Sequence, residues 1–168
     1  MHLCIMNSVY IALGSNRGDR ENNLQKAMDY LEEKAGRIAK VSSVYETQPW
    51  QMDDHTNFLN RVVLLETDFN ASGLMNCILQ IEAIMGRIRT NSGVYEPRTI
   101  DIDILFFNRD IIHGDSLVIP HPQIAKRRFV LQPLSEIAPF YVHPQLKKTI
   151  CELLASCADG HSISKLVV

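Results

Sequence analysis

Long apolar runs are missing from this chain: no stretch approaches the roughly 18 residues needed to cross a bilayer, so no membrane helix is expected. A charged leader followed by an apolar segment is missing too, and no secretory signal is read. Charge of one sign is scarce. The 17 Lys and Arg stand against 19 Asp and Glu, a net of −2, and no Lys/Arg block offers a field for nucleic acid or a membrane surface. Any basic group must therefore act locally. The four cysteines, Cys4, Cys77, Cys151 and Cys157, lie far apart without CxxC spacing, and a reduced, cytoplasmic setting is expected. GxxxxGK[ST] is absent, which excludes a P-loop as the route to nucleotide binding. "GSNRGD" (14–19) has two glycines and reads as a strand-to-helix turn rather than a phosphate cradle.

What is present is enough for one core. At 168 residues and 46% hydrophobic content, the chain is read as one domain, 1–168, too short to argue for two. "SVYIALGSN" (8–16) reads as a strand, followed by a helix in which Leu24, Met28 and Leu31 repeat and Gly36 is a natural stop. Residues 37–47 and 57–68 read as strands joined by the polar "QPWQMDDHT". Leu74, Ile78, Ile81 and Met85 mark one face of a helix from about Asn70 to Gly86, and "TNSGVYEP" (90–97) is a second loop before the strand that starts near Arg98. A Pro-punctuated stretch with one short strand, a helix near 148–157 and a tail of some β propensity complete the chain. The order βαββαβ predicts an α+β fold with a ferredoxin-like core: a mixed or antiparallel sheet backed by helices, with extra C-terminal elements.

"RTIDIDILFF" (98–107) places two aspartates in an otherwise apolar strand. Strand alternation predicts Ile100, Ile102, Ile104 and Phe106 on one face, with Thr99, Asp101, Asp103 and Leu105 on the other. Both carboxylates then share a face, with Cα atoms about 6.6–6.8 Å apart. That separation suits convergence on one or two divalent cations; a plain solvent-exposed sheet face accounts for the same pattern, and the spacing alone leaves both open. So few hard oxygen ligands favour Mg²⁺, which keeps waters and takes its other ligands from phosphates. Arg87, Arg89 and Arg98 precede the pair in sequence, and His121, Arg127 and Arg128 follow it. Such a set suits a polyphosphate clamp, since guanidinium groups match phosphate oxygens bidentately. Arg87 and Arg89 alone also read as cations favouring a helix C-terminus.

Taken in order, "YIALGSNRGDRENNL", "VSSVYETQPW", "NFLNRVVLLET", "IEAIMGRIR" with "EPRTIDIDIL", and "VIPHPQIAKRRFVLQPLSEIAP" resemble the 6-hydroxymethyl-7,8-dihydropterin pyrophosphokinase family over about residues 8–140. The resemblance implies transfer of the β,γ-diphosphate of ATP to the pterin hydroxymethyl group, releasing AMP, with two Mg²⁺ ions. It assigns Asp101 and Asp103 to the metal, and Arg87 and Arg98 with them to catalysis. Glu82, Arg89, Tyr95, Arg98, His121 and Arg127 match ATP contacts. Phe58 and Phe129 match aromatic positions that sandwich the pterin, Asn60 the amide that reads its edge, and Thr47, Gln48, Trp50 and Tyr95 the rest of that pocket. Read without the resemblance, Phe58 and Phe129 are aromatics in strand-like runs, where core packing is the commoner role. The loops 48–57 and 90–97 are expected to close over both substrates and exclude water.

The family pattern is not fully kept. Tyr95-Glu96-Pro97-Arg98 stands where relatives usually have Trp-Gly-Pro-Arg, Pro122 replaces a tyrosine, and no arginine lies between Thr90 and Val94. Two other readings remain in play. A two-metal phosphodiesterase or nucleotidyl transferase would use the same aspartates without a pterin pocket; a binding module would keep the fold and lack turnover. The expected partners are ATP and the pterin alone, with no nucleic acid or membrane, and a monomer suffices for them.

Overall fold

The computed structural model describes residues 5–48, 56–87 and 98–167. Among the described residues eight strands and four α-helices follow one another, and the first seven elements carry most of the candidate site. Strand β1 (Asn7–Ser15) alternates as its sequence demands: Val9, Ile11 and Leu13 are buried on one side, Tyr10, Ala12 and Gly14 face the other. Helix α1 (Arg20–Lys34) starts at Asp19, whose Oδ1 accepts the Asn22 N–H at 3.1 Å, and buries Leu24, Ala27, Met28 and Leu31 at helical spacing. Gly36 ends it where a side chain has no room, because a Cβ there would overlap the Glu66 carbonyl.

β2 (Arg37–Val41), β3 (Tyr45–Thr47) and β4 (Phe58–Thr67) follow, then α2 (Ala71–Ile84) and β5 (Asp101–Phe107). With β8 (Ile163–Lys165) at one edge, the sheet order is β5-β1-β4-β3-β8, with β2 also on β4, and every one of these pairings is antiparallel. This is the ferredoxin-like arrangement, in which β1 and β5 are neighbours although α1 to α2 separate them in sequence. Of the expected mixed or antiparallel sheet, the antiparallel form holds. Helices α1 and α2 cover one face through Leu24, Leu31, Leu74 and Ile78; the other face is covered by α3 (Arg128–Ile137) and α4 (Ile150–Ala155) through Val130, Leu131, Leu134 and Ile150.

Four expectations change. The strand expected over 37–47 is two strands, because the Ser42 hydroxyl accepts the Val62 N–H at 2.9 Å in place of a backbone carbonyl, and the register slips by one between Val41, opposite Val63, and Tyr45, opposite Asn60. The stretch after β5 holds not one short strand but the hairpin β6 (Ile112–His113) and β7 (Val118–Ile119), a 3-10 turn, and α3. Residues 163–165 are more than a tail: they form β8 (Ile163–Lys165), an edge strand on β3.

The fourth change lies in β5. Tyr10 pairs with Phe106 and Ile11 with Ile104, so Leu105 is an extra residue, a β-bulge. Phe106 therefore joins Leu105 on the α3/α4 face, not the Ile102/Ile104 face, and Phe107 takes the inner position. The bulge has a use at the site: the Leu105 carbonyl accepts the His121 N–H at 3.0 Å and fixes that residue beside the strand.

Candidate active site

Cross-strand register makes the floor. Asn60 on β4, Gly14 on β1 and Asp101 on β5 stand side by side, and Val62, Ala12 and Asp103 form the next row on the same face. Small residues in the middle strand keep that floor low. A Cβ on Gly14 would lie 3.2 Å from Asn60 Oδ1 and 3.7 Å from the Phe58 ring. Gly14→Ala is thus expected to push the Asn60 amide aside at an overpacking cost of about 1–2 kcal/mol. A urea melt beside the parent checks it; unchanged stability would refute the crowding at the floor.

One half of the site is ionic. Arg87 Nη1 lies 2.7 Å from Glu82 Oε1 and 2.6 Å from Asp101 Oδ1, while Arg98 Nη1 lies 3.0 Å from Asp101 Oδ2. Asp101 is gripped from both sides. Glu82, 2% exposed at the end of the buried stripe of α2, also accepts the Ile102 N–H at 3.1 Å, so it fixes β5 as well as Arg87. Asn16 does the same for Arg98: its Oδ1 accepts the Arg98 N–H at 2.7 Å, and its own N–H donates to the Arg98 carbonyl at 3.1 Å.

Burial first, then the charge of Asp101, holds the Asp103 carboxyl well above the ordinary carboxylate range, with Arg127 opposing. A paired, desolvated carboxylate of this kind fits a hard divalent cation. Among the described residues no third His, Cys, Asp or Glu joins a metal-type cluster; a hard cation such as Mg²⁺ commonly takes water and phosphate oxygens beside one or two carboxylates. His121 is driven the other way. Burial, then the Arg127 charge, lowers its pKa to about 4, and its Nδ1 accepts the Gln123 N–H at 3.1 Å, which leaves Nε2 as the protonated, donating nitrogen.

These two shifts oppose each other in the stability of the metal-free protein. Asp103 binds its proton more tightly folded than unfolded, so its contribution is lost as pH rises from about 4 toward neutrality. His121 binds its proton less tightly when folded, so its contribution is present above pH 6.5 and lost as pH falls toward about 4. Urea melts between pH 4 and 7 should therefore show a shallow net slope in the parent, a rising one in Asp103→Asn and a falling one in His121→Gln. Parallel curves for all three would refute both shifts.

The other half is aromatic and amide. Phe58, Thr47, Gln48, Asn60 and Phe129 line the same concavity as Arg98, Asp101, Asp103 and Arg127, which encloses about 680 Å³ with its solvent mouth included. Asn60 Nδ2 donates to Thr47 Oγ1 at 2.8 Å and both residues are buried, so the amide orientation is set. Phe129 stands in the first turn of α3, not in a strand, and the Arg127 guanidinium lies 5.7 Å from its ring centre. Among the described residues Arg127 Nε, which is buried, meets no hydrogen-bond partner, an unmet donor at the junction of the two halves.

Of the residues singled out by sequence, nine line the cavity and Arg87 and Glu82 join through Asp101; His121 stands behind, close enough to feel Arg127 and Asp101. Trp50, Arg89 and Tyr95, with Glu96 and most of both loops, lie outside the described residues. Sequence reasoning missed Gly14, Asn16 and Arg61. Arg61 lines the cavity while its Nε donates to the Ser42 carbonyl at 2.9 Å. The strand pairing that brings Gly14 beside Asn60 was the only signal available for it.

The family profile of 7,8-dihydro-6-hydroxymethylpterin-pyrophosphokinase (HPPK) matches residues 10–139. This chain belongs to that family. A Bacillus subtilis 2-amino-4-hydroxy-6-hydroxymethyldihydropteridine pyrophosphokinase is 46% identical over 132 residues, 78% of each chain. An Aquifex aeolicus protein of the same name is 40% identical over 147 residues, 88% of this chain and 90% of its own. A crystal structure of Plasmodium falciparum HPPK-DHPS with pteroate shares the fold at a TM-score of 0.73 and 20% identity. It covers 89% of this chain, which spans 44% of that longer one. The HPPK match ends before α4 and β8, so residues 140–167 are additional to what the family profile describes.

Proposed function

We infer that this chain transfers diphosphate from ATP to the hydroxymethyl group of 6-hydroxymethyl-7,8-dihydropterin, releasing AMP, as a step of folate biosynthesis. The observation that carries the reading is one cavity with two chemistries: paired carboxylates and guanidiniums at one end, two aromatics and a fixed amide at the other. A nucleotidyl transferase needs only the first. The chain is taken to act as one unit, 1–168, with ATP and the pterin as its small-molecule partners. A cytoplasmic location suits the free thiols of Cys77, Cys151 and Cys157, and no described helix is long and apolar enough to cross a membrane.

Phe58 and Phe129 would hold the flat ring by its faces, while Asn60, with both hydrogen-bond senses, reads its rim and Thr47 keeps that amide from turning. Arg98 and Arg127 bind phosphate oxygens, the Arg127 Nε supplying the donor that now lacks a partner. His121, neutral near pH 7, donates from Nε2 to an anionic oxygen without adding charge that depends on pH. Glu82, Arg89 and Tyr95 are assigned to the nucleotide, with Gln48, Trp50 and Tyr95 at the pterin. Asp101 and Asp103 would hold magnesium, two ions in this reading, which when bound neutralises the phosphates and acidifies the attacking hydroxyl. No side chain is needed as a dedicated base, because the protein's share is alignment and electrostatics. Arg87 assists by fixing Asp101 and by sharing charge that develops on the phosphates.

The test is chromatography of products after incubation with ATP, Mg²⁺ and the pterin. Pterin-dependent AMP with a pterin diphosphate supports the reading; ADP would mean simple phosphoryl transfer, and bound ATP without turnover would mean a binding module.

A further inference from the structure

Helix α3 carries two walls of the cavity, Arg127 as its N-cap residue and Phe129 in its first turn, yet its N-terminus has no side-chain cap of its own. Arginine is a poor residue for that position. The missing acceptor arrives from 31 residues downstream: Asp159 Oδ2 accepts the Arg128 N–H at 3.0 Å, and Arg128 returns Nε to the Asp159 carbonyl at 3.0 Å and Nη2 to the Cys157 carbonyl at 3.2 Å. Asp159 is itself buried and held. Its Oδ1 accepts the His161 N–H at 3.0 Å and contacts His161 Nδ1. The chain then runs straight into β8, where Ile163 pairs with Thr47 and Lys165 with Tyr45 on β3, and Lys165 Nζ lies 3.7 Å from Glu136 at the far end of α3. Glu136 in turn accepts from Tyr45 and from the Ser43 N–H. One segment, 157–165, thus grips the wall that bears Arg127 and Phe129 and the wall that bears Thr47 and Gln48.

We propose that Asp159 is a positioning residue for substrate binding, acting through the α3 N-terminus to set Arg127 and Phe129 against the β3 wall. The carboxylate is suited to this because it satisfies a first-turn N–H and places negative charge where the helix dipole favours it. Asp101 and Asp103 stand on β5, which pairs with β1 and not with this segment, so the two carboxylates keep their places when the strap is loosened while Arg127 and Phe129 shift.

The inference rests on the diphosphotransferase reading, and the parent protein separates the two: no pterin-dependent AMP from the parent sinks that reading, whatever the variants do. Asp159→Ala and Arg128→Met are compared with Thr149→Ala, which removes the cap of α4, where Thr149 Oγ1 accepts the Glu152 N–H at 3.2 Å, and serves as a control for lost stability. Expected for Asp159→Ala is a pterin KM raised about tenfold with kcat within about twofold, the scale of one lost charged cap. Asp159→Asn, which keeps an acceptor, should fall between. Arg128→Met should raise the same KM, and it carries the test if Asp159→Ala does not fold. Thr149→Ala should lower the melting temperature and leave KM unchanged. A KM unchanged in both Asp159→Asn and Arg128→Met, or raised equally by Thr149→Ala, overturns the proposal.

Discussion

Asp101→Ala and Asp103→Ala are each expected to cut pterin-dependent AMP formation by about a thousandfold, the largest loss any single change in this protein should produce. The reason is their neighbourhood. Asp101 holds Arg87 on one oxygen and Arg98 on the other, so its removal frees two guanidiniums and a binding position together. Asp103 has a different role. Its charge is costly beside Asp101, a cost that Arg127 and Arg87 offset only in part and that a bound divalent cation would relieve. Asp103→Asn should therefore separate function from stability: activity lost, the metal-free fold as stable as the parent or more so near pH 7, and the stabilisation that Mg²⁺ gives the parent largely gone. Asp101→Ala should instead lower the melting temperature, because Arg87 and Arg98 lose their shared partner. Melting curves with and without Mg²⁺, beside the product assay, read all of this. A substantial residual rate in either variant would mean that the carboxylate pair does not hold the metal.

Much of this site was visible in the sequence because strand alternation is a local rule. Asp101 and Asp103 had to share a face, and register then needed only to bring Ala12 and Gly14 beside them. Where side chains act across long separations, the pattern was silent. The Leu105 bulge left no mark because residues 104–107 are all apolar, so the alternation carried Phe106 to the wrong face. Helix α3 hid behind Pro133, which lacks the N–H that would bond the Phe129 carbonyl; the buried Val130, Leu131 and Leu134 hold the helix despite it. The break between β2 and β3 depends on one hydroxyl meeting an amide 20 residues away. Asn16 reaches Arg98 across 82 residues, and nothing in "GSN" says so. The motifs pointed to the candidate residues, while the contacts that hold those residues in place are tertiary.

Asn60→Ala should lower kcat/KM by about 100-fold, most of it through the pterin KM, because one buried hydrogen-bonding pair to the ligand and one within the wall vanish together, about 2.7 kcal/mol. Asn60 stands next to Gly14 on the floor, 7% exposed, and its Nδ2 is committed to Thr47. That commitment leaves the carbonyl side and the second N–H for the rim of a heterocycle. Thr47→Val is the sharper probe, since it keeps the wall's shape and removes only the hydroxyl that fixes the amide. If Thr47 works through Asn60, the double variant should lose little more than Asn60→Ala alone, a coupling that independent contacts would not show. Binding of the pterin measured in the presence of an ATP analogue separates this from chemistry: kcat at saturation should stay within about tenfold, as expected of a group that binds ground state and transition state alike. A fall in kcat with unchanged pterin affinity would instead assign Asn60 to alignment of the hydroxymethyl group, and additive losses would detach Thr47 from the pair.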